Sequence, residues 1–170
     1  VYYLRGLIYF FKMAISNNPR MLIIGAGVIG CLYGYRLIEA GYSVTFLAKG
    51  ERINQLRAEG LKLYNIKAKK KEKLEKVSVI EHLHPDDCYD YIFIALRRDN
   101  LSSIYPILAS NNSRCFVFMA NNPYGSKEYQ QHFPLEKVAM AFPGAAGVIK
   151  NGVVHYTIVN SFMQPTTVGS

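Results

Sequence analysis

Residues 21–30 read MLIIGAGVIG, and these ten residues carry the strongest indication of the fold. Four apolar residues predict a buried strand, and the glycines after them have the spacing G-x-G-x-x-G at the start of an apolar-periodic helix. Gly25 permits a tight turn out of the strand, Gly27 leaves its backbone open to a pyrophosphate, and Gly30 lets the helix pack against the strand. Because the first N–H groups of a helix lie unpaired at the positive end of its dipole, we predict a dinucleotide-phosphate site here.

The rest of the chain continues mostly as alternating strands and helices. Further strands are predicted at 42–48, 89–96, 115–119, 138–142 and finally 153–159, and helices at 28–40, 51–59, 101–109 and 126–133. Residues 61–66 and 76–80 alternate instead with a period of two, which predicts a β-hairpin whose solvated tip is the lysine-rich stretch between them. We therefore predict an α/β fold: a Rossmann-type, mostly parallel sheet with helices on both faces and an inserted β-hairpin.

The composition is that of an ordinary globular domain, with 170 residues of which 50% are apolar and 19% are charged. The formal net charge is +8, and much of the excess comes from residues 67–76. Such a charge favours nucleic acid, an acidic membrane surface or a phosphorylated cofactor. No recognisable motif interleaves basic and aromatic residues, so we expect no nucleic-acid partner.

Cysteine and histidine spacing argues against disulfide frameworks and metal sites. The three cysteines are widely spaced and form no CxxC pair, which is typical of a protein of the reducing cytoplasm. His82 and His84 lie two residues apart, but no third ligand is near them in the sequence. We therefore predict no metal site and a cytoplasmic location.

Residues 1–20 form a predicted helical extension that precedes a domain at 21–170. The longest uncharged stretch of the extension lies between Arg5 and Lys12 and is too short to span a bilayer. Its apolar residues have helical spacing, which indicates a short helix that packs on the domain or on the partner subunit of a homodimer. An interfacial membrane anchor is the alternative.

The residues after the second strand indicate which dinucleotide is bound. Sites specific for NAD usually place an acidic residue there to accept a hydrogen bond from the ribose 2′-OH. Lys49 stands at that position and Arg52 follows three residues later, and two cations favour the 2′-phosphate of NADP. Glu51 is contrary evidence, unless it is a first-turn helix residue stabilised by the dipole. We predict that the cofactor is NADP(H).

The order and spacing of several segments resemble the ketopantoate reductase (2-dehydropantoate 2-reductase) family. The segments are LIIGAGVIG (22–30), VTFLAKGER (44–52), GLKL (60–63), YDYIFIALR (89–97), NNPYG (121–125) and FPGAAG (142–147). The resemblance covers about residues 21–170. It implies reduction of ketopantoate, or of a related 2-oxoacid, to the 2-hydroxy acid with NADPH, a step toward pantothenate and coenzyme A.

The resemblance also implies roles for individual residues. Lys49 falls where the family usually has an arginine that meets the 2′-phosphate. Arg97 falls where the family has a lysine near the nicotinamide, and the larger, forked guanidinium differs from an ammonium in donor geometry. Asn121 and Asn122 compete for the role of an asparagine that faces cofactor and substrate. The full set of predicted cofactor-binding residues is Gly25, Ala26, Gly27, Val28, Ile29, Gly30, Lys49, Arg52, Leu96, Arg97, Asn121, Asn122 and Ala146.

The family's catalytic lysine and its substrate-binding acid and amides lie in a helical second domain that would begin near residue 170. We therefore expect a helical catalytic domain to be absent from this chain, which would contain no catalytic residue and would bind cofactor without turnover. The full-length protein is expected to be an NADPH-dependent 2-oxoacid reductase. The alternative is a non-catalytic nucleotide-binding redox sensor or scaffold.

Overall fold

The computed structural model describes residues 18–120, 125–159 and 167–169. The strands are β1 (Arg20–Ile24), β2 (Ser43–Leu47), β3 (Leu61–Asn65), β4 (Lys70–Leu74), β5 (Ser78–Ile80), β6 (Tyr91–Ile94), β7 (Cys115–Phe118), β8 (Val138–Phe142), β9 (Ala145–Lys150), β10 (Val153–Ile158) and β11 (Thr167–Gly169). The α-helices are α1 (Val28–Glu39), α2 (Gly50–Glu59), α3 (Tyr105–Ala109) and α4 (Lys127–Gln130), and short 3-10 turns cover Arg98–Asn100 and Leu135–Lys137.

In the described part of the chain, seven strands form the main sheet in the order β11-β8-β7-β6-β1-β2-β5. All neighbours in it are parallel except β11, which runs antiparallel to β8. The chain moves outward from β1 through β2 to β5, then returns and moves the other way from β6, so the switch point lies between β1 and β6. In open α/β sheets a crevice forms at that point, outside the carboxyl ends of the strands.

Helices cover both faces of the main sheet, as the Rossmann-type prediction requires. The central strands are buried on both sides because their residues are apolar throughout, as in Met21–Ile24 and Tyr91–Ile94. On one face, Leu37 of α1 packs into the cluster that contains Phe93. On the other face, Leu108 of α3 packs into a second cluster. The predicted fold class is confirmed.

Among the residues that the structure describes, four strands form the second sheet, in the order β4-β3-β10-β9. Two antiparallel hairpins, β3–β4 and β9–β10, are joined by the parallel pair of β3 and β10. Val154 and Tyr156 of β10 belong to the same buried cluster as Leu32 of α1. The helix α1 therefore lies between the main sheet and the second sheet.

A buried ionic network ties the second sheet to α1. The Glu72 carboxylate on β4 accepts hydrogen bonds from Arg36 Nη2 at 2.9 Å and from the Tyr156 hydroxyl at 2.7 Å. Asn65 Nδ2 donates to the Tyr156 oxygen, and Arg36 also pairs with Glu39. Burial and the bond to Glu72 raise the pKa of Tyr156 to about 12, so this phenol stays protonated.

The predicted pairing of the hairpin is wrong. Residues 61–65 pair with β4, so the lysine-rich stretch is itself a strand, and residues 78–80 form β5 at the edge of the main sheet. Alternation along β4 explains the difference: Lys71 and Lys73 point to solvent while Glu72 turns inward to Arg36. Because the inward-facing residue Glu72 is charged, residues 70–74 lack the alternation of apolar and polar residues that predicts a strand.

Other predicted elements exist with different bounds. The predicted helix at 101–109 is confined to α3, because Pro106 lacks an N–H and is tolerated only in the first helical turn. The helix expected at 126–133 is α4, and the strand expected at 89–96 is β6. The strand β9 was not predicted, and β11 follows the strand expected to be the last. Residues 1–17 of the predicted helical extension lie outside the described residues, and Arg20 belongs to β1.

Candidate functional site

The turn between β1 and α1 has the conformation that its glycines make accessible. Gly25 adopts φ of +99°, and a Cβ there would lie 2.6 Å from the carbonyl oxygen of Ala95. A Cβ on Gly30 would collide with the carbonyl oxygen of Gly25. By contrast, among the described residues no atom beyond Gly27 and its neighbours along the chain lies within 4 Å of the place where Gly27 would carry a Cβ. Two of the glycines are therefore required by packing, and the third leaves open space at the surface of the turn.

The start of α1 offers donors without a competing acceptor from a side chain. Gly27, the N-cap residue, is in extended conformation and has no side chain with which to cap the helix, and the first turn contains no acidic residue. Unpaired N–H groups at the start of a twelve-residue helix attract an anion, and the dipole adds to this attraction. The geometry fits a phosphate group, as the sequence predicts for Gly25 to Gly30.

A cleft of about 400 Å³ opens beside this turn at the carboxyl ends of β1, β2 and β6. Five predicted cofactor-binding residues line it: Gly25, Ala26, Lys49, Arg52 and Leu96. The Gly25 N–H also donates to the Leu47 carbonyl at 3.3 Å, which holds the turn against the end of β2. Residues that are distant in sequence thus meet at the switch point of the sheet.

The two predicted cations differ in their surroundings. Lys49 is exposed at the N-cap of α2, whereas Arg52 is half-buried and donates hydrogen bonds to the protein. Glu51 lies in the first turn of α2, where the helix dipole stabilises a carboxylate. Its position agrees with the interpretation of Glu51 as a helix residue.

The other predicted residues lie outside the cleft lining or outside the described residues. Arg97 is exposed after β6, at the start of the 3-10 turn. Ala146 is exposed on β9, and the next residue, Gly147, lies so close to α1 that a Cβ there would be 2.9 Å from Val28 Cγ1. The strand β9 therefore runs past the start of α1. Asn121 and Asn122 lie outside the described residues.

Two polar residues that were not predicted from the sequence also line the cleft. Asn100 and Ser103 both line it, and the Ser103 hydroxyl donates to the Asn100 carbonyl at 2.8 Å. Both residues follow the buried strand β6 in the sequence. Polar residues just after a buried strand are the sequence feature that could have identified them. Within the described part of the chain, no three His, Cys, Asp or Glu side chains group into a candidate metal site.

The family profile described as Ketopantoate reductase PanE/ApbA matches residues 21–169. The chain belongs to this family. The resemblance seen in the sequence is thereby confirmed over nearly the whole chain. Among the described residues, no helix is both long enough and apolar enough to cross a membrane.

One curated relative and two solved structures illustrate what this chain is similar to. The 2-dehydropantoate 2-reductase of Aquifex aeolicus (strain VF5) is 27% identical over 114 residues, which are 64% of this chain and 33% of the relative. The crystal structure of 2-dehydropantoate 2-reductase from Geobacter metallireducens GS-15 superposes with a TM-score of 0.75 at 19% identity, over 89% of this chain and 49% of that one. D-mandelate dehydrogenase with NADH and anilino(oxo)acetate has a TM-score of 0.66 at 20% identity, over 79% and 45%.

The chain covers only part of each of these relatives. It spans about a third of the length of the Aquifex relative and about half of the Geobacter structure. The matched part is the α/β domain with the glycine turn. The likeness to the solved structures, at 20% identity or less, supports the fold of this domain.

Proposed function

We propose that this chain is the NADP(H)-binding domain of a ketopantoate reductase-type oxidoreductase, which reduces ketopantoate or a related 2-oxoacid with NADPH. The observation that carries the proposal is the cleft in which the glycine turn, Lys49 and Leu96 meet. The family membership supplies the reaction class. The structural relative that holds NADH and anilino(oxo)acetate supports a nicotinamide cofactor and an oxoacid-like ligand.

The dinucleotide would lie across the ends of three strands. Its pyrophosphate would rest on the open backbone at Gly27 and the start of α1, and its adenine ribose would extend toward the end of β2. Lys49 stands there, exposed and at the N-terminus of α2, so its ammonium and the helix dipole both favour an added phosphate. A 2′-phosphate is the group that distinguishes NADP from NAD.

The nicotinamide end would extend toward β6 and β9. Leu96 lines the cleft after β6, and the backbone of β9 passes the start of α1 near Val28. When bound, the cofactor supplies the hydride for reduction of a carbonyl. The residues of this chain bind it and orient it, and we assign no general acid among them.

Separate titrations of NADPH and NADH against wild type and Lys49→Glu test the proposal. Loss of a charge-assisted contact with the 2′-phosphate predicts that NADPH binding weakens about tenfold to hundredfold, while NADH binding changes little. Lys127→Glu, on α4 away from the cleft, is the matched control and should change neither affinity. Equal losses for both nucleotides would refute the role of Lys49, and a wild type that binds neither would refute the proposed function.

A further inference from the structure

We propose that Arg52 is a positioning residue that holds the glycine turn in shape, and not a ligand of the 2′-phosphate. The proposal rests on the proposed function, in which this turn binds the cofactor pyrophosphate. Arg52 Nε donates to the carbonyl oxygen of Ala26 at 3.1 Å, and Nη2 donates to the sulfur of Cys31 at 3.2 Å. One edge of the guanidinium is therefore bound to the turn and to the first part of α1.

The third guanidinium nitrogen, Nη1, binds the Arg52 side chain to two other parts of the fold. Nη1 donates to Gln55 Oε1 at 2.6 Å and to the carbonyl oxygen of Gly152 at 3.2 Å. Gln55 lies on α2, and Gly152 lies in the turn between β9 and β10 of the second sheet. Because the five N–H donors of a guanidinium form a rigid planar fork, Arg52 could not present a bidentate edge to a phosphate without losing some of these bonds.

The Ala26 carbonyl is held from two sides. Besides Arg52, the Cys31 thiol donates to this oxygen at 3.3 Å. Burial raises the pKa of the Cys31 thiol, more than the Arg52 charge and hydrogen bond lower it, so the group is a neutral S–H that can donate. The carbonyl is thus fixed toward the Arg52 guanidinium and the buried Cys31.

Fixing this carbonyl also aims the next N–H group. In a planar trans peptide the C=O and N–H point in opposite directions. With the Ala26 oxygen held by Arg52 and Cys31, the Gly27 N–H points in the opposite direction, away from these two side chains. Gly27 itself is exposed. Arg52 thereby prepares a donor for the pyrophosphate, which NADPH and NADH both carry.

The affinities for the two nucleotides distinguish a positioning role from a 2′-phosphate contact. We expect Arg52→Gln to weaken NADPH and NADH by a similar factor of about tenfold, whereas Lys49→Glu weakens NADPH alone. Arg52→Lys should bind both nucleotides about as weakly as Arg52→Gln, because an ammonium keeps the positive charge but lacks the planar array of guanidinium donors. Arg57→Gln, an exposed residue near the end of the same helix, is the matched control and should change neither affinity.

A second readout uses the protein without nucleotide. In ¹H–¹⁵N spectra, the Gly27 amide should shift in Arg52→Gln and Arg52→Lys, and should keep its position in Arg57→Gln. Loss of NADPH affinity alone would overturn the proposal, since it would make Arg52 a 2′-phosphate ligand. Unchanged affinities with an unchanged Gly27 amide would overturn it as well.

These measurements distinguish a failure of the Arg52 proposal from a failure of the proposed function on which it rests. If wild type bound neither nucleotide, the proposed function would fail, and the Gly27 amide would still show whether Arg52 orients the turn. If Arg52→Gln did not fold, Arg52→Lys would decide: a common loss for both nucleotides supports positioning, and a loss for NADPH alone contradicts it.

Discussion

The main sheet and the second sheet share α1 between them, yet their strands differ in composition. The inner strands of the main sheet are short runs of apolar residues, such as 21–24 and 91–94, and are buried on both faces. The strands β3, β4 and β10 alternate, with one face on α1 and the other partly exposed. The comparison indicates that apolar burial holds the first sheet, whereas the second adds directional bonds to helix side chains.

The ionic network between the second sheet and α1 fixes the position of this sheet on the helix. Arg36, Glu72 and Tyr156 come from α1, β4 and β10, and the Glu72 side chain is only 5% exposed. Removing one member leaves the others desolvated without their partner, which is destabilising even where the intact network contributes little net stability. The two sheets should therefore respond differently to substitution.

Phe46→Ala should have the largest effect of the substitutions considered for stability. Phe46 lies on β2 of the main sheet, is fully buried and packs in the cluster with α1. Removing its ring leaves a cavity and should lower the free energy of unfolding by about 3–5 kcal/mol, measured by urea denaturation. Ile66→Ala, at a residue that is 48% exposed, is the control and should change it by about 0.5 kcal/mol or less. Comparable losses for the two variants would contradict the burial argument.

Glu72→Ala should have a smaller and more local effect. It leaves the Tyr156 hydroxyl without its acceptor and removes one acceptor of Arg36, which still pairs with Glu39, and should lower the free energy of unfolding by about 1–3 kcal/mol. Hydrogen exchange should accelerate in β3, β4 and β10, while the amides of β1 and β6 keep their protection. Glu75→Ala removes an exposed ion pair with Lys73 and serves as the control, with little change in either measurement. Equal acceleration in both sheets would show that they do not differ in the way we infer.

The smallest expected effect on stability is that of Tyr156→Phe at alkaline pH. Because the pKa of Tyr156 is raised to about 12 in the folded protein, from an ordinary value near 10, its contribution to stability is present below pH 10 and is lost as pH rises toward 12. Urea denaturation at several pH values in this window should show a shallower loss for Tyr156→Phe than for wild type. Cys115, whose pKa is raised to about 11, adds a similar loss to both proteins. Parallel curves for the two would contradict the role of this phenol.

How well each element can be predicted depends on how far apart in the sequence its contacting residues lie. The strand β1, the glycine turn and α1 were predicted because their signals are local: an apolar run, then glycines, then helical spacing. The strand β4 was mispredicted because the burial of Glu72 depends on Arg36, which lies thirty-six positions earlier. Its lysines indicated a solvated tip, and only the pairing with β3 shows that they alternate with an inward carboxylate.

At the candidate site, the glycine spacing of the turn and the presence of two cations after the second strand can be read directly from the sequence. Glycine spacing and residue type carry that information, since backbone access and charge are local properties. What the two cations contact depends on how the distant segments of the chain pack together. Lys49 remains exposed at the cleft, while Arg52 meets Ala26, Cys31 and Gly152. Those partners lie up to a hundred positions away, and the crossing of α1, α2 and the β9–β10 turn brings them within reach of one guanidinium.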